Sequence, residues 1–321
     1  MRQNQTKNQS VAKTLFRLFG GFAIFGLFIA SRLHGKNIAT LNSSGLIASQ
    51  QRDIMVFAIA LILTVAVPTV LILYFTAWRY RESNHHAAYH PEIVSSRWVS
   101  WFIWGLPSAL VLVLAIVLIP ATRHLQPNKP LASSVAPLNI QVVAMRWKWV
   151  FIYPEQHIAT VNFVQIPKDV PVNFDLTANE APMSSFWVPN LGGQLYAMTG
   201  HINRLNLMGT KYGDFPGRSA EINGAGYEGM RFTARVSSDA EFKTWVQTTR
   251  HIPSPLDKVT YDKLSLPSEN SPTALYSPID DRLFADTVMK YASSHNHNMP
   301  ARDTNDAMMT DHTMNMTAGS H

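Results

Sequence analysis

Three apolar stretches occupy the first part of the chain, and a shorter, alternating pattern replaces them afterwards. The first stretch, Leu18 to Ala30, follows Arg2, Lys7, Lys13 and Arg17. It is short for a membrane span and suits either the hydrophobic region of a signal peptide or an N-terminal membrane anchor, within residues 1–35. Ile54 to Trp78 and Trp98 to Ala121 are charge-free. Each is long enough to cross ~30 Å of hydrocarbon, and neither has a polar face, so they predict a two-helix transmembrane hairpin over residues 50–121. Pro68 and Pro107 fall inside these runs, where a membrane helix tolerates them. Trp78, Tyr80, Trp98, Trp101 and Trp104 gather at the shared end, as interfacial aromatics do.

After residue 122 the pattern changes to short runs broken by Pro, Gly and Asn. Asn139–Tyr153, Ala159–Ile166, Val170–Thr177, Ser184–Val188, Leu195–Thr199, Asn203–Met208 and Met230–Val236 read as strands, which together predict a β-sandwich over residues 122–250. Ser238 followed by Glu241 has the spacing of a capping box and opens a helix. Residues 251–292 are punctuated by prolines and carry helical pieces, with Leu256, Val259, Tyr261 and Leu264 on one side. The tail, 293–321, is polar and predicts disorder.

Composition adds three constraints. The net charge of +6 comes with no Lys/Arg stripe and no nucleic-acid motif, so nucleic acid is not a partner. The chain has no cysteine, hence no disulfide and no thiolate ligand. Basic residues favour the N-terminus and the connector 79–97 (Arg79, Arg81, Arg97) over the segment holding Arg32, Lys36 and Arg52. The positive-inside rule thus places the connector in the cytoplasm and the β-rich part outside. No nucleophile–base arrangement, phosphate loop or carboxylate pair is present, so no catalytic residue is expected in this chain.

The stretch Gly217 to Met230 reads Gly-Arg-Ser-Ala-Glu-Ile-Asn-Gly-Ala-Gly-Tyr-Glu-Gly-Met. It resembles the copper loop of subunit II of the haem–copper respiratory oxidases. By that resemblance Ser219 and Asn223 stand where the copper-bearing family has cysteines, and Tyr227 and Ser184 where it has histidines. Glu221 and Met230 are retained. A dinuclear copper centre needs bridging thiolates with imidazole and thioether donors. Hydroxyl, amide and a protonated phenol are poor replacements, so no metal is expected here. Ser219, Asn223 and Tyr227 are expected to fill the former metal cavity with hydrogen bonds.

A second match lies far from the loop. Pro267-Ser268-Glu269 and Leu283-Phe284 resemble the C-terminal aromatic-rich arm of the ubiquinol-oxidase branch. The resemblance covers roughly residues 45 to 291. It implies a cupredoxin-like Greek-key sandwich without copper ligands, held at the inner membrane with its C-terminal domain in the periplasm. It further implies a structural subunit of a proton-pumping ubiquinol oxidase, with haems and copper in subunit I and with subunits III and IV as further partners. Cytochrome c would not be a partner. Several relatives in this branch are lipoproteins with a cysteine at the cleavage site, which this chain lacks; Ile29-Ala30-Ser31 is a weak alternative site.

Other features are weighed against plain structural readings. Trp147 and Trp149 lie in an aromatic run that helps electron entry in copper-bearing relatives; here packing of alternate aromatics on one strand face is preferred. Ser100 occupies the position of a family Glu near a proton path, and no proton role is assigned to it. His85, His86 and His90 sit in the connector and read as solvated. The tail interleaves His295, His297, His312 and His321 with Met299, Met308, Met309, Met314 and Met316, a composition able to hold copper weakly. Two alternatives follow: a copper-bearing cytochrome c oxidase subunit II, and a membrane-tethered periplasmic copper-binding protein acting through its tail.

Overall fold

In the computed structural model, residues 38–82, 96–181 and 183–296 are described. The signal or anchor segment, the connector histidines and the tail beyond Asn296 lie outside the described residues. Helix α1 runs Leu46–Arg79 and α2 Arg97–His124. Each contains its apolar run, so both are long and apolar enough to cross a membrane. No residue of α2 is buried. Hydroxyls inside the helices bond back to carbonyls four residues earlier, Thr64 to Ala60, Thr69 to Val65 and Ser108 to Trp104. These three hydroxyl protons are thereby paired within their own helices.

Among the described residues eleven strands follow: β1 Leu138–Met145, β2 Lys148–Tyr153, β3 Ile158–Val161, β4 Phe163–Pro167, β5 Val172–Ala178, β6 Ser184–Trp187, β7 Leu195–Ala197, β8 Asn203–Leu207, β9 Gly213–Ser219, β10 Arg231–Ser237 and β11 Ala274–Tyr276. They form two sheets, ordered β11-β3-β2-β1-β5-β8 and β4-β10-β9-β6-β7. Pairing is mixed, with β1 parallel to β5 and β10 parallel to β4. Between the sheets Trp149 meets Phe186 edge-on at 5.4 Å and Phe232 at 5.9 Å, while Phe186 stacks on Phe232.

Several sequence expectations need correction. The run Asn139–Tyr153 is two strands, reversed at Arg146-Trp147, with Trp147 at φ 65°. Ala159–Ile166 is likewise divided at Asn162, φ 54°, so that β3 joins one sheet and β4 the other. Strand β9 was hidden by Pro216 and its glycines, which read as breakers. Trp147 and Trp149 do not share a strand face: Trp149 is fully buried between the sheets, whereas Trp147 sits in the turn.

The capping box forms as expected. Ser238 accepts from the Glu241 amide, and Glu241 accepts from the Ser238 amide, opening α3 (Asp239–Arg250). Helices α4 (Lys258–Ser265) and α5 (Leu283–Asn296), with β11 between them, form the C-terminal arm. Helix α5 continues to Asn296. The arm lies on the outer face of β1–β3. There Leu256, Tyr261, Leu283 and Phe284 meet Val143, Met145, Val150 and Ile152 in a second core. Strand β2 is therefore buried at every residue. Tyr261 bonds to Thr287, and burial pushes its phenol up to about 12. Val259, expected on the apolar side, is 61% exposed.

Two polar anchors hold the arm. Lys148, only 2% exposed, donates to the Leu264 and Leu266 carbonyls at 2.8 and 2.9 Å, at the C-terminal end of α4. Asn179 donates to Ser265 and accepts from Tyr291.

The start of α1 is built into the sandwich. The amides of Ser44 and Gly45 both donate to the Asn190 carbonyl, Leu46 donates to Met208, and Thr210 donates to Ser44. Gly45 pairs with Gly209 as a β-bridge. Three glycines make this approach close enough: a Cβ on Gly45 would overlap the Leu191 carbonyl, one on Gly192 the Leu207 side chain, and one on Gly209 Val236.

Candidate functional site: the loop between β9 and β10

The β6–β9 pairing sets Phe186 opposite Ser219, and the Ala220 amide donates to Ser185. The Ser219 amide donates to the Met230 carbonyl. Ser184, Ser219 and Met230 are thus brought to one end of the five-stranded sheet, and all three are buried. A single 3₁₀ turn, Tyr227–Gly229, closes the loop back onto β10.

Asn223 ties the group together. Its side-chain NH2 donates to Ser184 Oγ at 2.8 Å and to Met230 Sδ at 3.2 Å, joining the loop to β6 and to the foot of β10. Ser219 Oγ donates to the Glu221 carbonyl at 3.0 Å. Tyr227 departs from expectation. It is half-buried, its backbone closes the turn, and its phenol makes no hydrogen bond among the described residues. Glu221 contributes only its carbonyl.

Trp147 forms the other wall. Its indole lies against Gly226, where a Cβ would come within 2.4–2.7 Å of the ring, and against Gly224 at φ 124°. Asn223 Oδ1 and Trp147 Nε1 are buried with no partner among the described residues.

The donor set is two hydroxyls, one amide and one thioether already engaged by Asn223. It does not fit a thiolate-bridged copper pair, which needs soft anionic ligands. Among the described residues no group of three His, Cys, Asp or Glu is placed to hold a metal ion. What the arrangement does is cross-link a loop by hydrogen bonds. Replacing Asn223 with Leu removes both bonds at similar volume, with an expected loss of about 1–3 kcal/mol. Thermal unfolding of the subunit in purified membranes should fall by several degrees; an unchanged midpoint would show the cross-link to be idle.

Comparison with known proteins gives the frame a family. The COX Aromatic Rich Motif matches residues 250–295, the arm described above. The chain is 40% identical to cytochrome bo(3) ubiquinol oxidase subunit 2 of Pseudomonas putida over 86% of both chains. The chain belongs to the ubiquinol oxidase subunit 2 family. It is also 37% identical to ubiquinol oxidase subunit 2 of Acetobacter aceti, covering 83% of this chain and 87% of that one. With quinol oxidase subunit 2 of Bacillus subtilis it shares 30% identity over 86% of this chain and 84% of that one. The sandwich is similar to the periplasmic domain of subunit II of cytochrome oxidase from Bradyrhizobium japonicum (24% identical, 35% of this chain and 91% of that one, TM-score 0.33).

Two groups that hold this quinol-oxidase subunit together escaped the sequence reading. Lys148 sat inside an aromatic run, yet alternation puts it on the face of Val150 and Ile152, which marks a buried lysine in need of acceptors. Asn190 and Gly45 carry no local signal, because their partners are far apart in sequence.

Proposed function

We propose that this chain is the non-metal-binding subunit II of a proton-pumping ubiquinol oxidase, with a structural and assembly role. What supports the reading is the loop at 219–230 together with Ser184 of β6: by resemblance the copper-ligand positions fall on Ser184, Ser219, Asn223 and Tyr227, in a family named for quinol oxidation. A donor dissolved in the lipid needs no copper relay on the aqueous side. On this reading ubiquinol is oxidised and oxygen reduced to water in subunit I, which also holds the haems and copper; subunits III and IV complete the assembly.

We infer a placement in the bacterial inner membrane as a multi-pass protein with its C-terminal domain periplasmic. The joint supports this. Residues 43–46 bond to the sandwich just before α1, and α2 leads into it by residues 125–137. Both ends of the hairpin thus face one side, and the connector the other. The proposed division is an N-terminal segment, the hairpin, a sandwich from 122 to 250, the arm and the tail.

Affinity purification of the complex tests the proposal. It should oxidise ubiquinol, fail to oxidise reduced cytochrome c, and contain no copper beyond that of subunit I. A dinuclear copper signal from this subunit, or turnover with cytochrome c, overturns it.

A further inference from the structure

On the outer face of the five-stranded sheet, two arginines stand side by side with no acid between them. Register sets Arg218 of β9 opposite Arg231 of β10, and Trp187 of β6 opposite Arg218. Both arginines are exposed, while their neighbours Gly217, Ser219 and Phe232 are buried. Like charges directly opposed across a ladder destabilise it. Four residues along β10 the same two strands solve the problem: Arg235 lies opposite Asp214 and donates to both of its carboxylate oxygens at 2.7 Å. Arg218 lies over the Trp187 ring at 5.0 Å, and Arg231 Nε donates to the Glu228 carbonyl at 2.7 Å. No carboxylate pairs with either guanidinium among the described residues.

The pair lies in a groove of about 690 Å³, bordered by Ala39, Pro189, Pro216 and Thr273. Glu228 and Glu269 share a neighbouring hollow with Arg231, yet neither forms an ion pair with it. An arginine fork matches a carboxylate bidentately, and stacking on an aromatic ring fixes the fork in advance. The groove is thus shaped for an acid that the described residues do not supply. Residues 1–37 contain no Asp or Glu, and the connector 83–95, with Glu92 alone, lies at the far ends of α1 and α2. Residues 297–321 carry Asp303, Asp306 and Asp311 against the single Arg302.

We propose that the acidic stretch 303–311 of this chain's own tail docks in the groove, its aspartates neutralising Arg218 and Arg231. Helix α5 delivers the tail to the same end of the sandwich by a short chain of contacts. Lys290 pairs with Glu180, whose carbonyl accepts from Arg146; Trp147 packs on Gly226, and Glu228 accepts from Arg231. Asp311, fifteen residues past Asn296, reaches up to ~50 Å. That is farther than a domain of this size is across. Tethering sets a local concentration on the order of millimolar, so weak ion pairs suffice to fill the site.

The chain has no cysteine, so Thr310→Cys gives it one site for a nitroxide label. Electron paramagnetic resonance of the intact purified complex, less the signal of the unsubstituted complex, then reports on the tail. At low salt an immobilised label is expected, and raising the salt to ~1 M should release it. Arg218→Glu with Arg231→Glu should lose most of the immobilised component. Adding Asp303→Arg, Asp306→Arg and Asp311→Arg to that variant should restore it. A label that tumbles freely in the low-salt complex overturns the proposal and leaves the groove to an acidic partner protein or to nothing. A label that stays immobilised at high salt, or in R218E/R231E, overturns it as well. The salt series decides even where the charge-reversed variant fails to assemble, and it does so whichever donor feeds electrons to the oxidase.

Discussion

Gly45→Val should unseat the outer domain from α1 and sharply reduce the amount of assembled oxidase in the membrane. The cause is space, not backbone freedom, since Gly45 is extended at φ −120°. An added Cβ overlaps the Leu191 carbonyl oxygen and comes within 2.6 and 2.8 Å of Leu191 Cα and C. These are backbone atoms, so no side-chain rotation relieves the clash. Parting the two segments breaks the bonds from Ser44 and Gly45 to Asn190, from Leu46 to Met208 and from Thr210 to Ser44. At about 1 kcal/mol each, the loss is on the order of 4 kcal/mol, a large share of a domain's stability. Gly193→Ala is the control, because its Cβ meets only the flexible Gln51 side chain at 3.1 Å. Immunoblots of membranes and quinol-oxidase activity should fall together for G45V and stay near normal for G193A. Equal levels of G45V and the unaltered protein would show that the joint yields.

Lys148→Ala is the second large effect, and it should free the arm. The ammonium makes two charge-assisted bonds to the end of α4, worth about 1.5–3 kcal/mol, and truncation adds a cavity to the second core. Cleavage within residues 250–295 by an added protease should become rapid, while the sandwich resists. Lys148→Met restores much of the volume but not the bonds, and should fall between the two. Burial lowers the Lys148 pKa below its ordinary value. A lowered folded-state pKa means that the unfolded chain binds more protons in the window between that pKa and about 10.4. Stability contributed by this group therefore rises as pH increases through that window. Alkaline conditions should not release the arm, and the neutral amine can still donate to both carbonyls. Faster proteolysis of the unaltered arm on moving from neutral pH into that window would contradict this.

Much of the architecture was legible because it rests on local pattern. Charge-free runs mark α1 and α2, and Ser238 with Glu241 marks the start of α3. Alternation marks most strands of the sandwich. The failures share a cause. At Trp147 and Asn162 the chain reverses or changes sheet at single residues with positive φ, and no Gly or Pro announces it. At Pro216 a breaker lies inside a strand, opposite Thr233, where neighbouring strands carry it. In the loop, residue types alone argue against a copper pair, but not that Asn223 does the cross-linking while Tyr227 stays aside. That division depends on which side chains the β6–β9 register brings together.

The second core has a consequence for biogenesis. A growing chain made as far as Arg250 carries β1 and β2 with Val143, Met145, Val150 and Ile152 still facing water on one side. Their cover arrives only with Tyr261, Leu283 and Phe284, which follow β1 to β10 in the chain. The domain is thus completed only after its sandwich strands are made, and until then it presents a sticky plate that chaperones, or the growing oxidase itself, must shield.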